Sequence, residues 1–159
     1  MTESLTFAII TCSDTRSIEE DTAGQALEAL IAEAGWECLD RVIVKDERPV
    51  IAQAIVRACD ELDADIVLTC GGSGLSLRDV TPEATQDVCD RNVPGIAEGM
   101  RAYSMSITPY AMLSRALCMQ RGRHIVINLP GSEKAARENW EGVKPVLAHA
   151  KKMMAGGGH

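Results

Sequence analysis

Short apolar runs recur along this chain, and between them apolar residues fall at helical spacing rather than alternating. Thr6-Phe7-Ala8-Ile9-Ile10-Thr11, Val42-Ile43-Val44 and Asp65-Ile66-Val67-Leu68-Thr69 are such runs. Each is too short and too continuous for an amphipathic helix, and suits a strand covered on both faces. After the first run, Ala23, Ala26, Leu27, Leu30, Ile31 and Ala34 keep a helical period. Asp21 or Thr22 is placed to cap that helix and Gly35 to end it. After the second, Pro49 suits the first turn of a helix carrying Ile51, Ile55, Ala58 and Leu62 on one face. After the third, Thr81-Pro82-Glu83 opens another helix. Strands alternating with helices predict an α/β fold of three layers, α/β/α, around a mainly parallel sheet.

The rest of the chain continues the pattern. Helical segments are expected through about Met105 and from about Pro109 to Ser114. Residues Ala116 to Met119 and His124 to Asn128 predict two short strands joined at Arg121-Gly122, which would put one antiparallel strand into the sheet. A last helix is expected from about Glu133, followed by a flexible Gly-rich tail from about residue 153. No repeat or linker is visible, so residues 1–159 are expected to form a single domain. Only 3% of residues are aromatic, which predicts a core built from Ala, Val, Ile, Leu and Met.

Charge narrows the choice of partner. A net charge of -7, with few aromatics to stack on bases, argues against nucleic acid. No apolar stretch approaches the length of a membrane span, and Met1 to Thr6 lacks the basic and apolar regions of a signal peptide. Cys12, Cys38, Cys59, Cys70, Cys89 and Cys118 include no C-x-x-C pair and sit in or beside apolar runs. Buried, reduced thiols in a cytoplasmic protein are the expectation. His124, His149 and His159 do not cluster in sequence either.

In parallel sheets, ligands bind beyond the carboxyl ends of the strands. Four loops follow expected strands: Ser13-Asp14, Lys45-Asp46-Glu47, Gly71-Gly72-Ser73-Gly74 and Pro130-Gly131-Ser132. The Gly71 loop offers backbone amides that can turn toward one anion, although a plain tight turn explains the same residues. It lacks the Gly-Lys-Ser/Thr ending of a Walker loop and the G-x-G-x-x-G dinucleotide spacing. Ser132 at a helix start offers unpaired amides, a positive dipole end and a hydroxyl, or simply an N-cap. Asp46 and Asp79 sit in loops beside these anion sites, where a carboxylate repels phosphate unless a cation such as Mg²⁺ lies between them. The competing readings are a carboxylate paired with Arg78 or capping the Thr81 helix for Asp79, and a solvated charge beside Lys45 for Asp46.

Residues 69–85, Thr69-Cys70-Gly71-Gly72-Ser73-Gly74-Leu75-Ser76-Leu77-Arg78-Asp79-Val80-Thr81-Pro82-Glu83-Ala84-Thr85, resemble the signature of the MogA/MoaB family and its eukaryotic G-domain relatives. Asn128-Leu129-Pro130-Gly131-Ser132 resembles the second motif of that family, and Ser13-Asp14 with Glu20-Asp21-Thr22-Ala23-Gly24 its amino-terminal region. The three occur in the family's order and spacing. Cys70 and Ser73 depart from it, standing where threonine is frequent.

The resemblance implies a molybdopterin adenylyltransferase of molybdenum cofactor biosynthesis, which joins the AMP group of ATP to the phosphate of molybdopterin and releases pyrophosphate with Mg²⁺. It implies activity at Asp46 and Asp79, which are also the expected metal-binding residues. It implies substrate binding at Ser13, Asp14, Gly71, Gly72, Ser73, Gly74, Pro130, Gly131 and Ser132. It further implies a homotrimer or homohexamer and a downstream molybdate insertase as partner. A non-catalytic molybdopterin-binding oligomer of the same pathway is the alternative. The scarcity of catalytic His or Cys motifs agrees with the chemistry, because a phosphate nucleophile is already anionic and needs positioning more than a base.

Overall fold

A computed structural model of the chain describes residues 4–157. Its elements run β1 (Thr6–Cys12), α1 (Thr22–Glu33), β2 (Glu37–Val44), α2 (Arg48–Val56), β3 (Ile66–Cys70) and α3 (Thr81–Val88). Then follow β4 (Arg91–Asn92), α4 (Pro94–Met105), β5 (Cys118–Arg121), β6 (His124–Leu129) and α5 (Glu133–Met154). The strands form one sheet in the order β2-β1-β3-β6-β5-β4, with β5 antiparallel to both its neighbours and the others parallel.

Alternation along the strands divides the core in two. Phe7, Ile9, Ile66, Leu68, Ile125 and Ile127 face α1, α4 and α5. Ala8, Ile10, Val67 and Val126 face α2 and α3 across the sheet. Burial on both faces is why these runs show no polar alternation. The expected aromatic-free core needs correction: Phe7 and Trp140 are fully buried, and with Trp36 they form a three-ring cluster with centroids 5.6 to 6.1 Å apart. Few aromatics are present, but the largest are spent in one place.

Several boundaries differ from the sequence expectation, among them β5, which runs Cys118–Arg121 rather than Ala116 to Met119. Strand β2 begins at Glu37 rather than Val42, because its first half alternates exposed Glu37 and Leu39 with partly buried Cys38 and Asp40 at the sheet edge and presents no apolar run. The helical stretch expected up to Met105 is interrupted by β4, two exposed residues recruited by hydrogen bonding to β5 rather than by hydrophobicity. Helix α2 passes into a π turn at Arg57–Glu61, while Pro109–Leu113 forms 3₁₀ rather than α turns. At the end of the chain, α5 continues to Met154 and turns at Gly156; the tail's last residues, 158–159, and residues 1–3 at the other end lie outside the described residues.

Register decides where the functional loops fall. Cys12 pairs with Val44, Thr11 with Cys70, and Cys70 with Leu129. The carboxyl ends of β1, β2, β3 and β6 are therefore level, and their four loops emerge along one edge of the sheet.

Candidate active site

Gly71 and Gly72 turn the chain sharply off β3, with φ of +96° and +72° that only glycine adopts at low cost. Space demands glycine as well. A Cβ on Gly71 would lie 2.7 Å from the Cys12 carbonyl oxygen, and one on Gly72 would collide with Thr81 Oγ1. Gly71 N–H donates to the Leu129 carbonyl at 2.9 Å, so the first amide of the loop belongs to the sheet ladder. The amides of Gly72, Ser73 and Gly74 donate to no acceptor among the described residues and are free for an anion.

Opposite them, Pro130-Gly131-Ser132 leads into α5. Ser132 Oγ accepts from the Ala135 amide at 3.2 Å, an N-cap, which leaves earlier amides of the first turn unpaired at the positive end of a 22-residue helix. The Cα of Gly131 comes within 3.9 Å of the missing Cβ of Gly71, so the two loops touch. Both loops line one cavity of about 460 Å³, together with Asp79 and residues of α4, α5 and the 3₁₀ segment. That volume is typical of a small-molecule site. Gly71, Gly72, Ser73, Gly74, Asp79, Pro130, Gly131 and Ser132 thus meet on a shared wall.

Ser13, Asp14 and Asp46 do not line this cavity; they stand beside it along the same sheet edge. Ser13 Oγ accepts from the amides of Thr15 and Arg16, rounding the loop after β1. Asp14 accepts from the Asp46 amide at 3.0 Å and from the Arg78 guanidinium at 2.8 to 3.1 Å. The Arg78 hydrogen bond, followed by that amide, holds the Asp14 carboxyl below its usual range. Burial, then the charge of Asp14, raises Asp46 above it. Asp46 Oδ1 is buried with no hydrogen-bond partner among the described residues, 3.4 Å from the missing Cβ of Gly72.

The two acidic residues are neither paired, capping nor freely solvated as their sequence neighbours suggest. Arg78 pairs with Asp14, not Asp79, and α3 is entered through Val80 with no side-chain cap. Among the described residues, Asp79 Oδ2 accepts only from the Ser76 amide, at 3.3 Å. Asp46 is half-buried rather than solvated. Among the described residues no three His, Cys, Asp or Glu side chains converge as a metal cage. The thiol of Cys12, below the loop, is pushed up to about 12 by burial and stays neutral at ordinary pH.

Sequence reasoning missed the groups that brace the loops. Arg115 donates to the carbonyls of Gly74 and Asp79, both at 2.8 Å, and pairs with Glu83 at 2.6 Å; its own amide donates to Ser73 O. Arg16 donates to the Gly131 carbonyl at 2.8 Å. Asn128 bonds Thr69 and Thr85 at 3.0 Å each, tying β6, β3 and α3 together behind the loop. Asp21 is fully buried: it caps Gly24 N–H, accepts from Thr11 and pairs with Arg41. Its carboxylate leaves no room for a Cβ at Gly24, which explains that stretch of the amino-terminal motif structurally. Asp21 is placed in sequence as a cap, and Thr69, Glu83, Thr85 and Asn128 stand in the family's motifs, whereas Arg16 and Arg115 carry no signal.

Known proteins share this fold. Residues 8–149 match the family model described as the probable molybdopterin binding domain. The chain is 37% identical over 158 residues to the Helicobacter pylori protein named molybdopterin adenylyltransferase, covering 97% of this chain and 90% of that one. It is 38% identical over 145 residues to the Escherichia coli K12 protein of the same name, covering 88% and 74%. The Thermus molybdopterin biosynthesis enzyme MoaB superposes with a TM-score of 0.87 at 41% identity, covering 96% of this chain and 97% of that one. A wider outline, a structure of CinA from Thermoplasma acidophilum, is 17% identical at a TM-score of 0.63 and shares the fold alone. With its level strand ends, its two touching loops and these relatives, the chain belongs to the MogA/MoaB family of molybdopterin-binding domains.

Proposed function

We propose that this protein is a molybdopterin adenylyltransferase. The observation that carries the reading is a single cavity whose wall presents two separate sets of free backbone amides, at Gly72–Gly74 and at the start of α5. Two phosphate groups can meet there. In the reaction, an oxygen of the molybdopterin phosphate attacks the α-phosphorus of ATP. A new P–O–P bond forms, the α–β bridge breaks, and pyrophosphate leaves with the bonding electron pair. The nucleophile is anionic near neutral pH, so no side chain has to take a proton. The chain's task is to hold two anions in line and spread their charge, which fixed amides and a helix terminus do.

The residues fit Mg²⁺. Among the described residues, Asp46 Oδ1 is buried without a partner, and the carboxylate of Asp79 makes only one local bond. One or two carboxylates completed by substrate phosphates is the usual holding of this ion, which rarely has an all-protein cage. Asp79, beside the Gly71 loop, would hold it directly, with Asp46 supporting it. When bound, the ion would neutralise phosphate charge. Ser13 and Asp14 act on the site through the loops they tie.

An assembly and a pathway position complete the proposal. Tyr103, Met105, Ile107, Tyr110, Met112 and Leu113 are exposed around α4 and the 3₁₀ segment, more apolar surface than a lone small domain usually shows. A trimer or hexamer would cover it, and light scattering that gave a monomer at micromolar concentration would overturn this. The product would pass to a molybdate insertase in the cytoplasm. No helix among the described residues is long and apolar enough to cross a membrane.

The deciding assay is magnesium-dependent pyrophosphate release from ATP with purified molybdopterin. Wild-type protein should turn over, and Asp79→Asn should lose most turnover while keeping its fold, since loss of a metal contact removes several kcal/mol of transition-state stabilisation. Tight molybdopterin binding without turnover would favour the non-catalytic reading instead.

A further inference from the structure

Two polar atoms beside Gly72 are buried without being used by the fold. Thr81 is fully buried, and its Oγ1 is the atom that a Cβ on Gly72 would strike. Asp46 Oδ1 lies 3.4 Å from the same point. Neither oxygen has a hydrogen-bond partner among the described residues, and no other buried side-chain nitrogen or oxygen there shares that lack. The Cys12 thiol stands close to both: burial pushes it up, the Thr81 hydroxyl draws it down, and the Asp46 charge pushes it up again. It does not satisfy the hydroxyl, however, since its sulfur is directed to the Ile10 carbonyl at 4.0 Å. A buried oxygen without a partner costs free energy, so native proteins give such atoms a protein group or an ordered water. Water needs at least two polar neighbours, and here one supplies a hydroxyl donor and the other an anionic acceptor.

We propose that an ordered water bridges Thr81 Oγ1 and Asp46 Oδ1 beside Gly72, and that through it Thr81 is the positioning residue for Asp46. The Thr81 hydroxyl donates to the water, and the water donates to the carboxylate. The absence of a side chain at Gly72 keeps the space beside both atoms open. Thr81 is anchored for this task. Its amide donates to the Gly72 carbonyl at 3.0 Å, and its carbonyl accepts from Thr85 Oγ1 at 2.9 Å. Asn128 Nδ2 donates to that same Thr85 oxygen and to Thr69 Oγ1, so the frame runs back to β6 and β3. On its other side Asp46 is tied through its amide, which donates to Asp14 at 3.0 Å. The water completes the hold and fixes the rotation of the carboxylate, so that Asp46 meets incoming phosphate and its ion in one orientation. A hard cation suits the spot less well, because one carboxylate oxygen, one hydroxyl and a neutral thiol are a poor oxygen shell. The part given to Asp46 rests on the adenylyltransferase reading; the water site does not.

The test compares wild type, Thr81→Val and Thr81→Ser by high-resolution crystallography without substrates and by steady-state kinetics. Wild type and Thr81→Ser should show a water about 2.7–3.0 Å from both oxygens. Thr81→Val keeps the shape of the side chain, but should lose the water and let Asp46 turn. Its kcat in pyrophosphate release should fall roughly tenfold to a hundredfold, the usual effect of removing a supporting bond behind a functional side chain. The KM values of ATP and molybdopterin should change little, and the serine variant should recover most of the rate. No water at this place in wild type, a valine variant with wild-type kcat, or a serine variant no faster than valine would each overturn the proposal. So would oxygen contacts of about 2.1 Å, which mark Mg²⁺ rather than water. Should the valine variant fail to fold, the wild-type and serine structures still decide. Wild-type protein that holds the water yet releases no pyrophosphate would instead sink the adenylyltransferase reading.

Discussion

Arg115 Nη2 donates to the main-chain carbonyl of Asp79 at 2.8 Å. The contact joins the segment that leads into β5 to the loop after β3, thirty-six positions earlier in sequence. With Nε on Gly74 O and Nη1 on Glu83, one guanidinium fixes both ends of the loop and the first turn of α3.

Arg115→Lys should loosen that loop. A lysine supplies one charge but no planar fork, so it cannot serve Gly74, Asp79 and Glu83 together. The expected cost is about 1 kcal/mol, held down because solvent screens a side chain 36% exposed. Turnover should fall further than stability, on the order of tenfold or more, because a misplaced Asp79 weakens positioning. Urea denaturation beside pyrophosphate-release kinetics checks this, and equal turnover would remove Arg115 from the positioning of Asp79.

Gly72→Ala should be severe. The residue sits at φ +72° and its new Cβ would strike Thr81 Oγ1, which is buried at the start of α3. Left-handed strain and overpacking together predict a loss of roughly 2–4 kcal/mol. Gly95, with nothing within 4 Å of its missing Cβ, is the control, and Gly95→Ala should leave stability almost unchanged. Thermal melts of the two variants compared with wild type decide the matter.

Asp46 predicts a pH dependence of definite sign. Its carboxyl is raised in the fold by burial and by the charge of Asp14, so the native state holds this proton more tightly than the unfolded chain. Its contribution to stability therefore declines as pH rises from the usual carboxylate value through the raised one. Asp46→Asn should be more stable than wild type at neutral pH, and the advantage should vanish in acid below the usual value. Turnover should move the other way: the variant is impaired at neutral pH, and wild type loses activity as acid protonates Asp46. Denaturation and rate profiles from about pH 3, just below the usual carboxylate value, to about pH 8 would expose a reversed sign.

Ser132→Ala tests the amino end of α5. Losing the bond from the Ala135 amide to Oγ should cost about 0.5–2 kcal/mol of stability. If the molybdopterin phosphate sits at this terminus, the variant should also bind molybdopterin more weakly while ATP binding holds. Separate titrations decide it, and a loss confined to ATP would exchange the two phosphate sites.

Much of the architecture was legible because strands buried on both faces leave continuous apolar runs. Thr6–Thr11 and Asp65–Thr69 lie within a residue or two of β1 and β3 for that reason. Leu39 and Arg41 could not announce an edge strand, nor Arg91 and Asn92 a two-residue strand, because pairing with a neighbour defines those elements.

The chain by itself determined the alternation of elements, the glycines at Gly71 and Gly72, and the two loops able to meet phosphate. All of these are local: strand burial, left-handed backbone and helix starts are written in neighbouring residues. Tertiary structure alone decided which charges meet. Arg78 lies next to Asp79 in sequence yet grips Asp14, and Arg115 and Arg16 gain their places from elements distant along the chain. Side-chain partners are chosen by the register of the sheet and the packing of helices on it, and those long-range contacts leave no trace in local spacing.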